Sequence, residues 1–130
     1  MVYVYIVMVL ALIEYVVLGG LVGYARGKYS VKAPACTGPE EFDRTFRVHQ
    51  NTLEGLVVFL PGLWFFGSYV STTVAAGLGV LGIIGRALYA KGYITAPETR
   101  GPGAGICGIV NMVLLLGSLY GLIKVVVSTA

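Results

Sequence analysis

Phe42–Leu60, FDRTFRVHQNTLEGLVVFL, decides how the rest of the chain is read. Arg44, Arg47, Asn51 and Glu54 fall at i, i+3, i+7 and i+10, which lines them along one stripe of a helix with 3.6 residues per turn. Beyond Gly55 the same stretch is almost wholly apolar. A helix too polar at its start to face lipid and too apolar at its end to face water enters a bilayer with its polar stripe turned inward, because unpaired charge in hydrocarbon is costly. That stripe is the first candidate site.

Outside this stretch charge is scarce. Of 130 residues, 57% are hydrophobic and 12% charged, against about 25% charged in soluble domains. The composition is that of an integral membrane protein. A span takes roughly 20 apolar residues, so four spans with short connections occupy nearly all of residues 1–130 as one domain, with no room for a separate soluble one. The net charge of +3 does not point to nucleic acid, since the basic residues flank apolar spans, where membrane topology accounts for them. Cys36 and Cys107 are the only cysteines, with no CxxC and no ligand cluster, so neither a disulfide framework nor a metal site is expected. Met1–Leu18 lacks a positive start and runs past the length of a signal-peptide core, and reads as a retained first span.

The pattern places all-α spans at about residues 2–25, 42–69, 74–93 and 106–127. Arg26, Lys28 and Lys32 stop the first, and Ser30–Glu41, with Pro34, Gly38 and Pro39, breaks helix. Glu40, Glu41 and Asp43 suit the positive N-terminal end of the second span. The third is rich in glycine (Gly77, Gly79, Gly82, Gly85), which lets helices approach closely in lipid. Near its end Arg86, Tyr89 and Tyr93 fall at i, i+3 and i+7, a second polar stripe that can meet the first. Ile94–Gly105 reads as a loop holding Glu98 and Arg100, and the fourth span is interrupted only by Asn111 and Lys124. Basic residues gather around the first and third connections and are missing from the second, which turns those two connections, and both stripes, toward the cytoplasm.

The arginines offer planar, permanently charged forks for carboxylates, Glu54 can hold an ammonium and Asn51 an amide, a set that fits a small zwitterionic peptide with more than one carboxylate. Plainer readings stand beside this one. Arg26 and Arg44 also serve as topology determinants or anchors to membrane lipid. Arg47 and Glu54, two turns apart, also suit an internal salt bridge, and Tyr89 and Tyr93 an interfacial aromatic belt. His49 points away from the stripe and reads as an interfacial histidine. Glu14, alone in the first span, is a functional candidate by default, or an acid that is protonated or paired to a neighbouring helix. Cys107 reads as a small apolar filler.

The segments TGPEEFDRTFRVHQNTLE (37–54) and GRALYAKGYITAPETR (85–100) resemble the membrane-associated proteins in eicosanoid and glutathione metabolism, and RVHQNTLE (47–54) looks most like the microsomal glutathione transferases near leukotriene C synthase. The resemblance runs from about Arg26 to Arg100. It implies a homotrimer of four-helix, left-handed bundles, with glutathione as co-substrate bound between neighbouring subunits near the cytoplasmic side. By position, Arg26, Arg47, Asn51, Glu54, Arg86, Tyr89 and Tyr93 match family residues that bind or line the glutathione site. His49 stands where the leukotriene-forming enzyme has a glutamine contact, and Arg100 matches the arginine that activates the thiol. Gly55 replaces a tyrosine that helps to hold glutathione, and Gly27 replaces a second basic residue beside Arg26.

The implied activity is conjugation of glutathione to lipophilic small molecules or lipids, or reduction of lipid hydroperoxides, without a metal. One branch of the family is non-catalytic and presents lipid to a partner; Arg100 together with Arg47, Asn51 and Glu54 favours the enzyme. A rival from another class is a small proton-coupled multidrug transporter using Glu14, against which the two polar stripes count.

Overall fold

A computed structural model describes residues 1–96, 98 and 100–129. The described residues form four α-helices: α1 Val2–Lys28, α2 Glu40–Tyr69, α3 Thr72–Thr95 and α4 Gly101–Thr129. Each is long and apolar enough to cross a bilayer. The helix ends follow local chemistry. Arg26 and Lys28 occupy the last turn of α1, where cations complement the helix dipole. Ahead of α2, Asp43 turns back to accept from the Gly38 N–H at 2.9 Å and from the Thr37 hydroxyl at 3.4 Å, which ties the connection to the first turn. Ser71 caps α3 by accepting from the Val74 N–H at 3.1 Å.

The central helices are α2 and α3, which pack against each other and against both α1 and α4. The main core joins Val4 and Val7 of α1, Phe59 and Leu63 of α2, Ala75 of α3 and Leu114 of α4. Close approach depends on missing side chains: a Cβ on Gly82 would stand 2.5 Å from the Phe59 ring. The outward faces keep exposed Val, Leu and Ile side chains along every helix, as a lipid-facing surface requires.

Each helix extends beyond its expected span by two to five residues at one end or both, and the largest difference lies at the start of α4. α4 begins at Gly101, so GPGAG belongs to the helix and the connection from α3 is shorter than the expected loop through Gly105. Pro102 falls in the first turn, where a backbone N–H has no partner within the helix and its loss costs little. Gly103 is buried directly against α3, and a Cβ there would collide with the backbone of Tyr89 and approach the Gly85 carbonyl at 2.8 Å. Helix packing thus outweighs the loop tendency of the glycines, and it brings Arg100 down beside α3.

Candidate functional site

The two polar stripes do meet. Asn51 Nδ2 on α2 donates to the Tyr89 hydroxyl on α3 at 2.7 Å. Tyr89 is buried, so its hydroxyl depends on a protein partner. From there α3 carries a ladder: the Arg86 guanidinium lies 5.2 Å from the centre of the Tyr89 ring, the Tyr89 and Tyr93 rings are 5.6 Å apart, and the Arg100 guanidinium lies 5.3 Å from the Tyr93 ring. Two aromatic rings are therefore bracketed by two permanent cations, held by contacts worth about 0.5–1 kcal/mol each where exposed.

The remaining expected site residues lie elsewhere on the same chain. Arg47 and Glu54 are exposed on α2. They do not form the internal salt bridge that their spacing allows: among the described residues the only ion pair is Arg44 with Glu40, at 3.9 Å and one turn apart. Arg44 is half-buried, and its Nε is enclosed without a hydrogen-bond partner among the described residues. Arg26 turns to the first connection, where Nη1 donates to the Ala35 carbonyl at 2.7 Å and the guanidinium lies 5.3 Å from the Phe42 ring. His49 faces α1, its ring 4.3 Å from the Tyr15 ring, and is packed so closely that a Cβ on Gly19 would stand 3.1 Å from Nε2. Asn51, Arg86, Tyr89, Tyr93 and Arg100 thus come together within one chain, while Arg26 turns to the first connection, His49 packs on α1, and Arg47 and Glu54 are exposed on α2.

Beneath the ladder lies a feature that spacing alone did not disclose. Glu14, Gly55, Arg86, Cys107 and Asn111, drawn from all four helices, line a central cavity of about 20 Å3. Gly55 makes this possible, because a Cβ there would stand 2.5 Å from Arg86 Nη2. Asn111, which the sequence shows only as an interruption in an apolar span, faces this cavity beside Cys107; an amide in mid-span is the available signal, since polar groups inside a membrane turn toward the bundle.

The architecture is that of a multi-pass membrane protein whose polar residues converge between its two central helices. The chain belongs to the MAPEG family, which it matches over residues 4–120, and this bears out the resemblance read from residues 37–54 and 85–100. It is 47% identical over 114 residues to the uncharacterized protein sll1147 of Synechocystis sp., covering 88% of this chain and 83% of that one. It is 43% identical over 99 residues to microsomal glutathione S-transferase 2 of Homo sapiens, covering 75% of this chain and 67% of that one. Leukotriene C4 synthase of Bos taurus is 34% identical over 76 residues, 58% of this chain and 51% of that protein.

Proposed function

We propose that this protein is a membrane-bound glutathione transferase that conjugates glutathione to lipophilic electrophiles, working as a homotrimer of left-handed four-helix units, each formed by residues 1–130 as a single domain. The observation that carries the reading is the Asn51–Tyr89 hydrogen bond with its bracketing cations, which sets an amide, a phenol and two guanidinium groups along one ladder. The 43% identity to a glutathione S-transferase supports the choice of ligand. In the proposed complex glutathione lies between subunits toward the cytoplasmic side. One subunit offers Asn51, Arg86, Tyr89, Tyr93 and Arg100, and Arg26, Arg47, His49 and Glu54 of the assembly hold the charged ends of the tripeptide. Arg47 and Glu54, exposed in a membrane-spanning helix and without an ion-pair partner among the described residues, fit groups that await a partner.

The chemistry follows from the thiol. With a pKa near 8.5 a thiol is only about 3% thiolate at pH 7, and the thiolate is the nucleophile. A guanidinium close to the bound thiol favours the anion and cannot itself lose charge, which is the role proposed for Arg100. The thiolate then attacks an electrophilic carbon of the lipophilic acceptor. A carbon–sulfur bond forms and the leaving group departs with its electron pair, or an opened epoxide oxygen takes up a proton. Where the acceptor is a lipid hydroperoxide, two glutathione molecules supply two electrons, giving glutathione disulfide, the lipid alcohol and water.

The test is made on purified protein in detergent. Equilibrium dialysis is expected to show saturable glutathione binding, mass measurement a trimer, and turnover a product with an aryl halide acceptor. A monodisperse monomer that still binds glutathione would remove the shared site, and absence of binding would remove the transferase reading altogether.

A further inference from the structure

The contact between α1 and α3 is under-filled in two separate places. Toward the ends of the two helices, a groove of about 470 Å3 runs between Leu18 and Leu21 of α1 and Ala87, Ala90 and Lys91 of α3, with Glu14 and Arg86 lining its deep end. Toward their starts, a second groove of about 470 Å3 runs between Ile6 and Leu10 of α1 and Ala76, Gly77 and Val80 of α3. Small side chains on α3 leave this room in both. Neither space is the central cavity between all four helices.

Each groove keeps to one half of the membrane-spanning bundle. From Arg86 to Thr95 the α3 wall of the first rises about 14 Å, against about 15 Å for half of a hydrocarbon core. A neighbouring transmembrane helix would need one trough along the whole seam, whereas an acyl chain enters from one surface and stops near the midplane, as each of these grooves does. The two differ in charge. Lys91 lines the first groove, exposed and one turn before the end of α3, and it has no ion-pair partner among the described residues. No acidic or basic side chain lines the second. Every Lys and Arg of the chain except Lys124 lies toward the end of the bundle that holds the first groove. A lysine stem at that depth follows apolar surface while its ammonium reaches the headgroup level.

We propose that the groove between the C-terminal halves of α1 and α3 binds one anionic phospholipid of the surrounding membrane, with an acyl chain along the groove and the phosphate on Lys91. The site stands independently of the transferase reading.

Delipidated full-length protein in detergent is titrated with phosphatidylglycerol or with phosphatidylcholine of the same acyl chains, and the lipid retained per chain is read by native mass spectrometry. Wild type holds phosphatidylglycerol about fivefold more tightly than phosphatidylcholine, the weight of one lysine beside an anionic headgroup. Lys91→Gln removes that preference and leaves phosphatidylcholine binding as it was. Lys32→Gln, which removes the same charge at the same end of the bundle but away from the groove, keeps the preference. A preference that survives Lys91→Gln, or that Lys32→Gln removes equally, overturns the proposal.

Ala87→Phe fills the groove from the α3 side. Ala87 is exposed, so the variant melts like wild type and loses the selectively held lipid. Wild-type retention in Ala87→Phe places the lipid elsewhere and overturns the proposal. A changed oligomeric mass with retention intact assigns the groove to a second copy of the chain, and overturns it as well. Should Ala87→Phe fail to fold, Lys91→Gln, which alters only an exposed side chain, decides by itself.

Discussion

Asn51 donates to the Tyr89 hydroxyl across the α2–α3 interface at 2.7 Å. The bond joins the two central helices, and it fixes the rotation of each stripe relative to the other. Tyr89 is buried, so Tyr89→Phe leaves the half-buried Asn51 amide without its acceptor. The expected loss of stability is about 1–3 kcal/mol, read as a lower unfolding midpoint in detergent together with weaker glutathione binding. An unchanged midpoint and unchanged affinity would show that the bond organises nothing.

Arg47 and Glu54 carry the opposite expectation. Neither has an ion-pair partner among the described residues, and both are exposed on α2. Arg47→Ala or Glu54→Ala should leave helix content by circular dichroism almost unchanged while weakening glutathione binding by roughly 2 to 4 kcal/mol, the usual cost of removing one side of a desolvated charge pair. Full affinity combined with failure to assemble would make these charges part of the subunit interface instead.

Arg100→Ala tests the thiol. Lowering a thiol pKa from about 8.5 to about 6.5 raises the thiolate fraction at pH 7 from about 3% to roughly 75%, a gain of about 25-fold for about 2.7 kcal/mol. The variant should still bind glutathione, lose the thiolate absorbance near neutral pH and slow by at least that factor with an aryl halide acceptor. Recovery of the rate as the pH is raised supports thiol activation. A larger loss that alkali does not restore assigns Arg100 to charge stabilisation in the transition state, and unchanged turnover removes it from the mechanism.

Gly103→Ala tests how Arg100 reaches the site. A Cβ at Gly103 collides with the Tyr89 backbone, which cannot rotate aside as a side chain can. The start of α4 must then move off α3, at a cost of about 1–3 kcal/mol for overpacking, and Arg100, one residue ahead of the helix, must move with it. A lower melting midpoint with loss of the thiolate signal is expected. By contrast, Gly105→Ala meets open space and should behave as wild type.

The membrane class and the four spans were legible in the sequence because they depend on one-dimensional facts: runs of apolar residues long enough to cross hydrocarbon, and charges placed where the chain must leave it. The two stripes were legible for a similar reason, since helical period alone puts Arg47, Asn51 and Glu54 on one face and Arg86, Tyr89 and Tyr93 on another. Helical period says nothing about how one helix is rotated against the next. Only the packing of α2 on α3 decided that Asn51 meets Tyr89 while Arg47 and Glu54 stay exposed, and only α1 on α2 decided that His49 lies on Tyr15. The start of α4 at Gly101 and the lodging of Arg86 beside Gly55 have the same origin. In both, a missing Cβ lets backbone or guanidinium approach a neighbouring helix, and the gain from that contact exists only once both helices are in place.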